Sequence, residues 1–118
     1  MGRTGLIHYL DGSIEKGHLR EGRLHGVGVS TTPNSSRYEG EFESGVKQGF
    51  GTYYNFFEGC TYTGQWLKGK KHGLGKFSMV SGQSKEIIFG SWMDGELIRT
   101  FDVDLLQPLE PQLLAIEN

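Results

Sequence analysis

The chain has little of what several classes of protein require. Its 118 residues include one cysteine, Cys60, so no intramolecular disulfide can form and a reducing compartment is the natural expectation. No apolar run approaches the roughly 20 residues that span a bilayer, and none of signal-peptide length stands at the N-terminus. We therefore expect an intracellular, cytoplasmic protein, and leave open a nuclear location or an association with cytoskeleton or membrane.

Charge and reactive groups are equally sparse. The formal net charge of −2 supplies no field that would attract nucleic acid, which makes a nucleic-acid partner unlikely. Cys60 and the four histidines lack the spacing of metal ligands. Glu39, Glu41 and Glu43 alternate along one segment, and a solvated strand face explains them better than a catalytic acid and base. We predict no enzyme activity, no metal and no cofactor.

What the chain does have is glycine at a fixed spacing. Four glycines of one copy recur 24 residues later with unchanged steps, and an earlier copy with the same steps is displaced by 23. In the second and third copies, aromatic residues stand two positions before and two positions after the leading glycine, where the first copy has Glu15 and Leu19. Such a period indicates stacked copies of one small unit. The copies are Gly17, Gly22, Gly26, Gly28; then Gly40, Gly45, Gly49, Gly51; then Gly64, Gly69, Gly73, Gly75.

Residues 38–51 (YEGEFESGVKQGFG) and 62–75 (YTGQWLKGKKHGLG) closely resemble the MORN repeat, a short β-hairpin module. The resemblance places a hairpin array at residues 1–96. It comprises a degenerate copy at 15–37, copies at 38–61 and 62–87, and a truncated copy at 88–96. The atypical first and last copies resemble end caps.

Alternation within a copy predicts the fold. Tyr62, Gly64 and Trp66 share one face of a strand, while Thr61 and Thr63 share the other, polar face. Glycines inside the returning strand leave room for an aromatic ring of a neighbouring strand. We predict an all-β protein, built as an elongated single-layer antiparallel sheet of consecutive hairpins with loops near residues 31–36 and 81–84. Residues 97–118 are predicted to form a strand or short helical cap, or a linker.

The aromatic face is the predicted docking surface. A single-layer sheet leaves one side of its rings without a covering layer, and aromatic residues are enriched in protein interfaces. We expect a protein partner to bind this face or an open sheet edge, with a homodimer as an alternative. Tyr38, Phe42 and Tyr62 are expected to be only partly covered. The predicted protein-binding residues are Tyr38, Phe42, Tyr53, Tyr62, Trp66, Phe77 and Trp92.

A second hypothesis concerns a basic hairpin turn. Lysines crowd this turn and could contact anionic lipid head groups, although a solvated turn is the favoured interpretation. The resemblance also implies two alternatives to a non-catalytic scaffold. One is the regulatory arm of a larger enzyme, such as a SET-domain lysine methyltransferase or a lipid kinase, and the other is a membrane or phosphoinositide tether. The candidate lipid contacts are Lys68, Lys70, Lys71 and Lys76.

Overall fold

Nine antiparallel strands follow one another in sequence order to form one open sheet, as seen in a computed structural model that describes residues 3–101. No helix occurs in this part of the chain, so the predicted all-β, single-layer antiparallel architecture is confirmed. The strands are β1 (Arg3–His8), β2 (Ile14–Arg20), β3 (Arg23–Thr32), β4 (Ser36–Glu43), β5 (Val46–Asn55), β6 (Cys60–Leu67), β7 (Lys70–Ser81), β8 (Ser84–Met93) and β9 (Glu96–Thr100).

A row of paired glycines crosses eight of the nine strands. Each strand from β1 to β7 places one glycine directly opposite a glycine of the next strand. The repeat length therefore equals two strands and their turns. The row consists of Gly5, Gly17, Gly28, Gly40, Gly51, Gly64, Gly75 and Gly90.

Two-residue turns close four of the hairpins at one end of the sheet. Lys68 and Gly69 between β6 and β7 both have positive φ, of 53° and 81°, and the pairs 21–22, 44–45 and 94–95 behave alike. Positive φ at both central residues matches the type I′ turn, whose twist suits antiparallel strands. The turn glycines also donate backbone hydrogen bonds to the preceding hairpin, as Gly69 does to the Lys47 carbonyl at 2.9 Å. Consecutive hairpins are therefore tied together at their turns.

The core is a line of aromatic rings on one face of the sheet. Phe42, Tyr38, Trp66, Tyr62 and Trp92 meet edge to face with centroids 5.0–5.3 Å apart. The Tyr38 and Tyr62 rings also cover backbone, at Gly51 and Gly75, because the glycine row has no side chains beneath them. A Cβ atom on Gly75 would lie 2.5 Å from the Tyr62 ring. The predicted packing of aromatic rings over glycines is confirmed.

The expectation that Tyr38, Phe42 and Tyr62 are partly covered is wrong. Tyr38 and Tyr62 are each 1% exposed, because each lies against glycine backbone and between neighbouring rings. Phe42 is 5% exposed and packs against the Tyr38 ring. Trp66 and Trp92 are buried as well, whereas Tyr53 and Phe77 pack at the margin of this cluster and stay partly open. The open part of the aromatic face is therefore smaller than the sequence suggested.

Three further sequence predictions concern the last strand, the loop near residues 81–84 and a short C-terminal helix. Strand β9 lies inside the segment 97–118 except for its first residue, Glu96. The expected loop near residues 81–84 is a two-residue turn, Gly82 and Gln83, since β7 and β8 pair up to Ser81 and Ser84. The predicted short helix near Pro111 lies outside the described residues.

A candidate docking groove on the aromatic face

Beside the buried rings, the same face carries a groove with a volume of about 500 Å³. Tyr53 of β5, Tyr62 of β6 and Phe77 of β7 are paired across adjacent strands, so the three rings line one level of the sheet. One residue pair further along, Cys60 and Met79 extend the apolar floor. The lining residues are Tyr53, Asn55, Glu58, Cys60, Tyr62, Lys71, Phe77 and Met79.

Two lysines lie over the rings of this face. The Lys71 Nζ atom is 5.6 Å from the Tyr62 ring centroid and 5.4 Å from that of Phe77. The Lys47 Nζ atom is 5.2 Å from the centroids of Tyr53 and Trp66 and 5.5 Å from that of Tyr38. Ammonium groups at these distances are attracted by the negative ring faces. Burial lowers the pKa of Lys47 below its usual value.

The tyrosine hydroxyls under the groove are fixed by backbone. The Tyr62 hydroxyl donates to the Gln65 carbonyl and the Tyr38 hydroxyl to the Glu41 carbonyl, each at 2.9 Å. Burial raises the pKa of both phenols far above the usual value. These hydroxyls are structural groups, and nothing about them indicates a general acid or base.

Glu41, one of the three alternating glutamates of β4, has a structural role. Its Oε1 accepts a hydrogen bond from the Phe50 N–H at 2.7 Å, and Gln65 does the same for the Leu74 N–H at 2.8 Å in the next copy. Both side chains satisfy backbone where a β-bulge interrupts the strand pairing. Glu39 forms an ion pair with Arg37 at 2.6 Å.

The histidines that precede a repeat glycine lie near the turns, as predicted for His25 and His72. His25 Nδ1 accepts a hydrogen bond from the Ser44 N–H at 3.2 Å. Gln48 stands at the equivalent position of the next copy and accepts from the Lys68 N–H at 2.9 Å. Within residues 3–101, no group of three or more His, Cys, Asp or Glu side chains could hold a metal ion.

The four lysines of the predicted lipid contact are not brought together. Lys68 and Lys70 are exposed at the turn, but Lys71 folds over the aromatic rings. Lys76 lies on the opposite face, beside Thr61 and Thr63. Alternation along β7 separates these two side chains. Among the described residues, no apolar helix reaches the length needed to cross a membrane.

The opposite face is polar only in its centre, which corrects the expectation of a uniformly polar side. Thr52, Thr61 and Thr63 lie there, but Leu6 and Val27 in the first hairpins are 55% and 60% exposed. They border a wide depression of about 1000 Å³. The sequence carried a signal for this patch, since Val27, Phe50 and Leu74 hold one position of the repeat. The polar alternation of residues 61–65 does not extend to every copy of the repeat.

The comparison with known proteins agrees with this architecture. The family described as MORN repeat matches residues 16–37, 38–55 and 62–84. The chain belongs to the MORN-repeat family. MORN repeats are generally modules for interaction with proteins or membranes, and the repeat itself is non-catalytic.

Individual relatives match over part of the chain. Alsin from mouse, human and rat is 34% identical over 77 residues, which make up 62% of this chain. The same segment is 5% of the length of each alsin. The chain is therefore similar to a small part of these much longer MORN-containing proteins.

Proposed function

We propose that this MORN-repeat chain is a non-catalytic scaffold or docking module that binds a segment of another protein in the aromatic-face groove. One observation carries the proposal. Five aromatic rings of this face are buried, yet Tyr53, Phe77 and Met79 form an apolar floor beside them that stays open. Partly open aromatic and methionine side chains in a concave site are typical anchors for a partner. We also propose a cytoplasmic location, which is supported by the presence of one cysteine, Cys60, in the sequence.

The seven predicted binding residues have two roles under this proposal. Tyr53 and Phe77 contact the partner. The other five rings are 1–6% exposed, so they stabilise the sheet and offer a partner little surface, although Tyr62 lines the groove. The sheet edges at β1 and β9 offer a second route, through strand addition or a homodimer. The depression bordered by Leu6 and Val27 lies at the β1 end, on the opposite face.

A photo-crosslinker placed on either face tests the proposal. A benzophenone amino acid at Met79 lies in the groove, and the same group at Ser78 points to the opposite face. We expect a discrete crosslinked partner from position 79 only. The product should weaken in Phe77→Ser, with a loss of about 1–3 kcal/mol in binding, and persist in the opposite-face control Thr61→Ser. Equal crosslinking from position 78 would move the docking site to the other side of the sheet.

A second candidate function is the regulatory arm of a larger enzyme, of the SET-domain methyltransferase or lipid kinase type. The observation that favours it is the match to 5% of the length of alsin, which indicates that such repeats occur as parts of long chains. An immunoblot of native tissue decides this, because a mass well above 13.2 kDa would support the larger protein. Membrane tethering ranks below both, since two of its four candidate lysines lie on opposite faces.

A further inference from the structure

Lys47 and Lys71 occupy the same position of the repeat. Lys47 pairs with Phe42 and Lys71 with Trp66, in both cases just beyond the β-bulge. Their backbone carbonyls play the same role as well. The Lys71 carbonyl accepts from the Gly95 N–H at 2.9 Å, as the Lys47 carbonyl accepts from the turn glycine of its next hairpin.

The outer hairpins hold leucine at this position. Leu24 pairs with Leu19, and Leu97 pairs with Trp92. Leu24 is fully buried, and its carbonyl accepts a hydrogen bond from a turn glycine just as the two lysines' carbonyls do. The fold therefore accepts an apolar side chain at this position of the repeat. The sheet does not require the two central copies to carry ammonium groups there.

Neither ammonium group is neutralised by the sheet itself. In the described part of the chain, the recorded ion pair joins Arg37 to Glu39, and no carboxylate lies within 4 Å of the Nζ atom of Lys47 or Lys71. Glu58 is the acidic residue that lines the groove, and its Oε1 accepts a hydrogen bond from the Asn55 side chain at 2.9 Å. With Lys47 over Tyr53 counted beside Lys71, this part of the aromatic face has two ammonium groups and one carboxylate, that of Glu58.

We propose that the groove binds an acidic, apolar segment of a partner protein, with two carboxylates that pair with Lys47 and Lys71 and an apolar side chain between them on Tyr53 and Phe77. This inference rests on the proposed docking function. Strands β5 and β7 are two steps apart in the sheet, or about 10 Å. Lys71 lies level with Gly49, two residues along β5 from Lys47, so the two lysine positions are about 12 Å apart. An extended segment spans this distance when its two carboxylates are four residues apart, and both then share one face with the residue midway between them. A carboxylate over each lysine completes an ion pair in a site that is partly shielded from water, where such pairs are stronger than on an open surface.

An unbiased peptide selection tests the inference. A displayed library of random twelve-residue peptides is selected against the full-length chain. We expect enriched peptides to carry Asp or Glu four residues apart, with an apolar residue midway between them. The affinity of a selected peptide should fall as salt is raised, because ion pairs are screened. In the variant Lys47→Leu/Lys71→Leu its affinity should drop roughly tenfold or more and lose most of its salt dependence.

A matched control removes the same charge elsewhere. Lys68→Gln/Lys70→Gln neutralises two exposed lysines of the neighbouring turn that do not line the groove, and it should leave the affinity within about twofold of wild type. Leucine at positions 47 and 71 reproduces the residues of the outer copies. The Leu variant should therefore remain folded, as checked by its thermal melt.

The remaining outcomes separate the two proposals. Enriched peptides without acidic residues, whose binding is lost in Phe77→Ser, would overturn the acidic-partner inference and leave groove docking intact. A further variant replaces the carboxylates of the C-terminal segment with amides, at Asp102, Asp104, Glu110 and Glu117. If this variant selects acidic peptides and wild type selects none, this chain's own acidic segment is the occupant of the groove. Selection of no peptide by either protein would overturn both proposals.

Discussion

The packing of Tyr62 over Gly75 can be tested with a single methyl group. A Cβ on Gly75 would lie 2.5 Å from the Tyr62 Cε1 and hydroxyl oxygen and 2.6 Å from Cζ, far inside van der Waals contact. The ring cannot swing away easily. It is 1% exposed, meets the rings of Trp66 and Trp92 at 5.2 and 5.0 Å, and is held by the hydroxyl bond to Gln65.

The expected cost of Gly75→Ala follows from what the methyl group displaces. Overpacking a well-packed core costs about 1–3 kcal/mol. Displacing the ring would also lose its hydroxyl bond, about 1 kcal/mol, and edge-to-face contacts of about 0.5–1.5 kcal/mol each. We therefore expect a loss of about 3–5 kcal/mol in the free energy of unfolding, and a larger one for Gly75→Val. The measurement is urea unfolding followed by tryptophan fluorescence.

Two controls isolate the steric cause. Gly5 belongs to the same glycine row, but a Cβ there would meet the flexible end of the Leu19 side chain, so Gly5→Ala should cost less than about 1 kcal/mol. In a Tyr62→Ala background, Gly75→Ala should cost little because the obstructing ring is gone. A free energy of unfolding for Gly75→Ala within about 0.5 kcal/mol of wild type would contradict this steric cause. An equal loss with and without the Tyr62 ring would contradict it as well.

Three further predictions concern other groups. Glu41→Gln should unfold at the same urea concentration as wild type, because an amide oxygen can accept from the Phe50 N–H, whereas Glu41→Leu should cost about 0.5–1.5 kcal/mol. Since the pKa of the Tyr62 phenol is raised above its usual value of 10.0, stability should be constant below that pH and fall as pH rises above it, measured by urea unfolding at several alkaline pH values. Wild type should not pellet with anionic liposomes at physiological salt, and Lys68→Gln/Lys70→Gln should have the same melting temperature as wild type. Clear pelleting of wild type that is lost in this variant would contradict the prediction and support a lipid contact.

The sequence by itself determined the hairpin array. Glycine spacing and two-residue alternation are local properties, set by which backbone angles a residue tolerates and which side of a strand it faces. The turn at Lys68 and Gly69 and the placement of Tyr62 over the glycine row could therefore be predicted from neighbouring residues alone. The burial of Trp66 followed in the same way.

The tertiary structure alone decided which side chains remain available for binding. Tyr38 and Tyr62 are closed off by edge-to-face contacts with rings from other strands, and such contacts depend on register shifts at the bulges that no local pattern reveals. Lys71 lies over the rings by alternation along β7, but only the assembled sheet brings the Tyr62 and Phe77 rings beneath its ammonium group. The groove and its charge exist only once several strands are aligned, because every wall belongs to a different segment of the chain.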